Sequence, residues 1–465
     1  MKHCRILLIL ISGITSMTLY SQNFNRPIPV GLMCPYEFDQ FDTTDYGYYI
    51  TAPFKVFEKP GNICKPRAMM LDKDGYIAWF SSNDYPARFY DFKYHPNAKM
   101  FSCCYGPKGR LILDSSFNIT RQINGYDNMT PDMHDFQILS NGNVLFCGKK
   151  DSLMNLSAWT FNGIKGSKHT VVVELVLFEL DTANNLVFQW NHLKYIQPTM
   201  TYDIYGYDST LFDYCHVNSI DEDSDGNLIL SFRHINAVYK INHKTGKVIW
   251  QLGGKSSSFK FTNDIGFTAQ HDVRHLPGST YSLYDNTDSS VQKTRAVIYS
   301  LDTMNWTAKK IWEYKPDPAF FAGVMGNYQV TTDFNHLINY GSELRPYPSM
   351  DFVNNNGVKI SQIFFTDSVK SYRSFIYKLP FSLPRPIITL KKNKVSDTLY
   401  APPGFKSYVW STGETSDHIA IKQSGVYQVW VNYGIGMLGS KPYDYNQKEK
   451  SLKLKQYEEK KERKN

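Results

Sequence analysis

The chain has 465 residues, of which 20% are charged and 15% aromatic, with 33 Tyr, 29 Phe and 8 Trp. Such a composition supplies a large buried core and excludes a disordered chain or a coiled coil. The net charge is only +8, and residues 448–465 hold eight Lys/Arg against four Glu, half of that excess. The body is nearly balanced, which removes the electrostatic case for nucleic-acid binding.

In chain order, Lys2 and Arg5 precede an apolar run from Ile6 to about Ile14, and small and polar residues follow to Ser21-Gln22. This is the order of a secretory signal over 1–22, so the mature protein is expected to be exported, to the periplasm or the cell surface. The run is too short to span a bilayer, and no later segment reaches about 18 uninterrupted apolar residues. Beyond Cys4 there remain Cys34, Cys64, Cys103, Cys104, Cys147 and Cys215, with no CxxC among them. In an oxidising compartment a single disulfide from Cys34 to Cys64 is one expectation, and free thiols in a large core are the other.

From about residue 60 to 380 two elements alternate. The first is a strand, a Gly or Asn turn and a second strand: RAMMLDKDGYIAWFS (67–81), HDFQILSNGNVLFCG (134–148), HVNSIDEDSDGNLILSF (216–232) and HDVRHLPGSTYSLYDN (271–286), then more loosely NYQVTTDFNHLINYG (327–341). The second is an apolar strand, a polar turn and a strand ending in Trp or another large residue, with turns at Asp114, Asp181, His243 and Asp302. Those turns are 67, 62 and 59 residues apart. Four short strands repeated at that spacing predict an all-β, six-bladed β-propeller over 23–384. The sixth blade is expected from 351–379, closed by strands from about 45–60. After Pro386 the strands shorten, and 385–445 reads as a small immunoglobulin-like β-sandwich module. Residues 446–465 read as a solvated basic tail.

The repeats place side chains. Arg67, His134, His216 and His271 each stand just ahead of the first strand of one copy, seven to ten residues before the turn glycine. Equivalent blades would bring all four to one end of the central channel, with Asn218 beside them and Arg233 on the strand leaving His216. One histidine on a strand is ordinarily structural, whereas three at one repeat position are not easily so explained. Histidine and arginine without matching carboxylates suggest an anionic substrate. A zinc ion on three histidines is the competing reading, which the adjacent arginine disfavours, so no metal is expected. Asp221, Asp223 and Asp225 alternate as in a calcium loop, but Phe232 stands where the twelfth-position Glu belongs, and a hairpin turn is expected instead.

The stretch HVNSIDEDSDGNLILSFRHINAVYKINHKTGKVIWQLGGK, followed by FTAQHDVRHLPGSTYSLYDN, resembles the arylsulfotransferase family, the exported aryl-sulfate sulfotransferases. HDFQILSNGNVLF and GNYQVTTDFNHLINYG extend the likeness over roughly 60–380. The resemblance implies a six-bladed propeller that moves a sulfuryl group from a phenolic sulfate ester to a phenol, without adenosine phosphosulfate or another cofactor. It implies His271 as the nucleophile, forming a transient sulfohistidine. His134, His216, Asn218 and Arg233 would bind the sulfuryl oxygens and assist proton transfer; the repeat position of Arg67, rather than the resemblance, makes it a further expected substrate contact. The partners so implied are small molecules, a phenolic sulfate donor and a phenol acceptor. His234 adjoins Arg233, and the N-terminal region, the C-terminal module and the tail lie outside the family pattern. The rival reading is a non-catalytic propeller that binds anionic or sulfated ligands at the cell surface.

Overall fold

The structure is a computed structural model that describes residues 26–446 except 30–31, 56–64, 66, 83–88, 106–108, 208–210, 288–292, 344, 367 and 394–395. The expected secretory signal, Cys4, Cys64 and the tail from 447 on lie outside the described residues. Among those described there is no α-helix, only the 3-10 turns His192–Lys194 and Pro198–Met200, and no helix long and apolar enough to cross a membrane.

Six sheets of four or more strands are arranged as blades of a propeller. Their inner strands are Phe89–His95, Thr130–Ile138, Val217–Glu222, His271–Leu276, Asn327–Val330 and Val369–Tyr377, in blades 1 to 6. Each packs against the inner strands of both neighbouring blades, so the ring closes. A blade is covered on both faces, which is why its strands read as continuous apolar runs rather than alternating ones. Leu228–Phe232 of blade 3, LILSF, is buried at every position. Leu177 and Trp190 of blade 2 share a core with Phe232 and Tyr239 of blade 3. The large residue closing the second repeat element also has a polar task. Trp190 donates from Nε1 to the Gly246 carbonyl of the next blade, and Trp312 to that of Asn355.

The two ends of the propeller sequence are sewn together. Tyr36–Gln40 forms the outer edge of blade 5 by pairing with Lys359–Phe365. Blade 6 takes its inner strand from 369–377 and the next three from Tyr48–Lys55, Met69–Leu71 and Ile77–Ser81. The segment 67–81 is therefore an outer hairpin, not the inner hairpin that the repeat suggested. The turn glycine looks alike in both, with φ +80° at Gly75 and +84° at Gly142. Turn chemistry reports a hairpin, not its distance from the axis.

Three of the eight strands after Pro386 continue blade 6, while the other five form a three-stranded and a two-stranded sheet of their own around a separate core with Trp410 and Leu399. Gly436–Gly439 pairs with Ile77–Ser81, and Val429–Tyr433 and Tyr408–Trp410 follow outward, making one seven-stranded sheet. Trp430, fully buried, donates from Nε1 to the Ile77 carbonyl at 3.1 Å. Cys34 is disulfide-bonded, while Cys103, Cys104, Cys147 and Cys215 are free and buried.

Candidate active site at the channel mouth

The inner strands break register where they reach the channel mouth. Bulges fall between Tyr90 and Lys93, between Val217 and Ser219, and between His271 and Arg274. Asp91 and Asp272 adopt positive φ, +52° and +55°. This conformation is uncommon for residues other than glycine. Its consequence is that successive side chains do different work. His134 and His271 belong to the mouth, while the next residues, Asp135 and Asp272, enter an ion cluster on the axis. Tyr372 and Arg373 divide in the same way.

That cluster seals the channel beneath the mouth. Lys93 lies 3.0 Å from Asp91 and 2.5 Å from Asp135. Arg373 contacts Asp91 and Asp135, and Arg274 contacts Asp135 and Asp272. All these groups except Arg274 are almost completely buried. Charges so deep are tolerable only because each meets several partners.

Above it the imidazoles meet. The rings of His134 and His216 are edge to face, with centroids 4.7 Å apart. His216 stacks on His234 at 4.6 Å, and Tyr372 lies edge-on to His134 at 5.6 Å. His134 Nδ1 is 2.6 Å from Asp132, and His216 Nδ1 is 2.7 Å from Asp213. Burial lowers the pKa of His134, against the pull of Asp132. His271, only 2% exposed, is held well below the ordinary histidine value by burial and then by the Arg233 cation, with His216 and His134 adding to it. It is therefore a neutral imidazole at pH 7.

Arg233 donates to the Gly323 carbonyl through Nη2, and its Nε is buried with no hydrogen-bond partner. Asn218 is fully buried; its Nδ2 donates to the Gln270 carbonyl, and its Oδ1 is unpartnered. It thus grips the residue before His271. The Tyr372 hydroxyl is likewise buried without a partner. A cavity of about 480 Å³ opens beside His134 and His216, walled by Lys149, Leu211 and Val173. A larger one, about 740 Å³, lies away from the histidines between the turn at 72–74 and the segment 382–388.

The sequence-derived set is thus largely assembled, with one correction. Arg67 is not at the mouth: its Nε donates to the Leu32 carbonyl and its Nη1 to that of Ser81 in the outer part of blade 6. It stapled no ligand site because the repeat copy carrying it is an outer hairpin. Four residues escaped the repeat logic: Asp132, Asp213, His234 and Tyr372. The carboxylates had a local signal, an Asp two or three residues before each histidine. Tyr372 had none, since its strand matches no repeat copy.

Asp213, His216 and His234 could offer three donor atoms within 4.8 Å of one another. A metal binds in the plane of each imidazole, so two chelating rings must converge edge-on. These two rings stack instead, with an interplanar angle of 27°. The Asp223–Asp225 turn is likewise filled by an ammonium, with Lys240 Nζ 2.7 Å from both carboxylates.

The chain is thus a six-bladed propeller with its channel closed by an ion cluster and with imidazoles and one arginine at the mouth, and the carboxylates Asp132 and Asp213 stand behind two of the imidazoles, contrary to the expectation from the repeats. Residues 108–347 match the family described as Arylsulfotransferase (ASST). The chain belongs to that family. No curated protein matches the sequence. Among solved structures, a protein of unknown function from Bacteroides caccae is similar at 10% identity and TM-score 0.42, covering 70% of this chain and 98% of its own. A catalytically inactive virginiamycin B lyase from Staphylococcus aureus with quinupristin is similar at 12% identity and TM-score 0.30, covering 88% and 100%. A protein from Lactobacillus plantarum is similar at 11% identity and TM-score 0.37, covering 86% and 100%.

Proposed function

We propose that this arylsulfotransferase moves a sulfuryl group from a phenolic sulfate ester to a phenol, with His271 as the nucleophile and a sulfohistidine between the two half-reactions. The observation that carries the reading is the company His271 keeps: a neutral imidazole with Arg233, His216 and His134 close enough to act on its charge. A neutral imidazole can attack sulfur, and negative charge on the three sulfuryl oxygens is stabilised by a fixed guanidinium. His134 and His216, each backed by a carboxylate, are the proton carriers for the leaving and the attacking phenol. No adenosine phosphosulfate is required in this scheme.

Export belongs to the same proposal. The basic and apolar start of the sequence supports it, and so does the disulfide at Cys34, since such bonds persist in oxidising compartments. The test is release of p-nitrophenol from p-nitrophenyl sulfate, with and without phenol, by the mature protein and by His271→Ala. Release stimulated by phenol and lost in the variant is expected. Release indifferent to phenol would point to hydrolysis, and none across a panel of aryl sulfates would leave a binding propeller.

A further inference from the structure

The histidines of the mouth are not backed alike. His134 and His216 have a carboxylate at Nδ1, whereas His271 has an amide. Asn286 follows the second strand of blade 4, Thr280–Asp285, and is fully buried. Its Oδ1 lies 2.6 Å from His271 Nδ1, and the Ala269 carbonyl lies 3.1 Å from the same nitrogen. Two oxygens that only accept face Nδ1, so that nitrogen must carry the proton. The amide cannot be turned round, because Nδ2 donates to the carbonyls of Ala322 at 2.7 Å and Met325 at 2.9 Å.

We infer that Asn286 is a positioning residue that holds His271 as its Nδ1–H tautomer, leaving the lone pair on Nε2, and that its lack of charge keeps the sulfated ring reactive. The second half of this statement rests on the proposed function above. In that scheme the Nε2 lone pair forms the N–S bond while the S–O(aryl) bond breaks, and the departing phenolate takes its electron pair and a proton from a neighbouring imidazolium. The ring, still protonated at Nδ1, is then an N-sulfated imidazolium. The acceptor phenol gives its proton to a histidine as its oxygen bonds to sulfur, and the N–S electron pair returns to Nε2. The leaving group in this step is neutral imidazole. A carboxylate at position 286 would draw the Nδ1 proton toward itself and make the leaving group more like imidazolate, which departs more slowly. The residues that shuttle protons have carboxylates behind them, and the one that must be displaced has none.

The full-length mature protein, labelled with ¹⁵N-histidine, supplies the decisive readout without any substrate. His271, assigned by its absence in His271→Ala, is expected as the neutral Nδ1–H form at pH 7. An Nε2–H form, or an imidazolium at pH 7, in the unmutated protein would overturn the inference whether or not any variant folds. Asn286→Ala, which leaves only the Ala269 carbonyl at Nδ1, is expected to weaken the tautomer preference and to lower kcat at least about tenfold, more than it changes KM. Asn286→Asp is expected to raise the protonation pH of His271 and lengthen the life of the sulfo-enzyme after a donor pulse; an unchanged lifetime would overturn the reactivity half. A correct tautomer with no aryl-sulfate turnover in the unmutated protein would instead sink the proposed function and leave the tautomer assignment standing.

Discussion

Arg373 Nη1 lies 3.0 Å from Asp91 Oδ1, although 282 residues separate them in sequence. The pair joins the inner strand of blade 6 to that of blade 1, and Asp135 and Asp272 lie 3.2 and 3.4 Å from the same guanidinium. Removing Arg373 would leave these buried carboxylates under-compensated. Arg373→Met is expected to lower stability by about 3–5 kcal/mol, read from the midpoint of denaturant unfolding. Lysine should not restore it, because one ammonium cannot span three partners. A midpoint unchanged by Arg373→Met would mean that the cluster does not hold the ring closed.

Arg233 is expected to behave in the opposite way. Its Nε is buried without a partner, so the folded state gains little from it. Arg233→Lys should change stability by no more than about 1 kcal/mol. If the guanidinium holds the sulfuryl oxygens, kcat on p-nitrophenyl sulfate should fall by roughly 10²–10³-fold. Equal losses of activity and stability would assign Arg233 a structural role.

Acid should weaken the fold through its buried imidazoles, opposed by the Asp221 carboxyl, which burial pushes up to about 6. Burial pushes both His192 and His336 down to about 4 from an ordinary 6.5. Between those values the unfolded chain binds protons that the folded chain refuses. Stability is therefore at its full value above about pH 6.5 and falls as the pH drops toward 4, by up to about 1.4 kcal/mol per unit for each ring. Denaturation midpoints across this range test the slope. His336→Gln, which replaces the ring stacked on Trp312 at 3.8 Å, should flatten it even as it lowers the plateau.

The C-terminal strands should melt with the propeller, because three of them share a sheet with blade 6. A Cβ on Gly436 would stand 2.3 Å from the Phe80 carbonyl oxygen and 2.5 Å from the Trp79 ring. Gly436→Val is expected to cost about 1–3 kcal/mol by overpacking. Trp430→Ala should cost about 3–5 kcal/mol by emptying a buried site. Calorimetry should show one transition for the unmutated protein. Two well-separated transitions would show that the terminal strands fold on their own.

Much of the plan was legible in the residues because turn glycines and apolar runs are local. Spacing of the polar turns at 67, 62 and 59 residues was enough for a propeller. The histidines of blades 2, 3 and 4 could be aligned because each precedes an inner hairpin. Arg67 was misplaced by the same reasoning: the hairpin it precedes has the same turn but pairs third and fourth in its blade. Tyr372 and Asn286 were invisible, one lying on a strand outside the repeats and the other after a second strand.

By itself, then, the sequence determined an all-β repeat, the blades on which three histidines sit, and the family whose pattern they follow. Only the tertiary structure decided which strands are innermost, since that depends on how distant segments pair to close the ring. It also decided what stands behind each imidazole. The partners of His134 and His216 are two and three residues away, but Asn286 reaches His271 from fifteen residues on, across a strand pairing. Tautomer and charge follow from those contacts, and contacts between separate strands exist only once the sheets have formed.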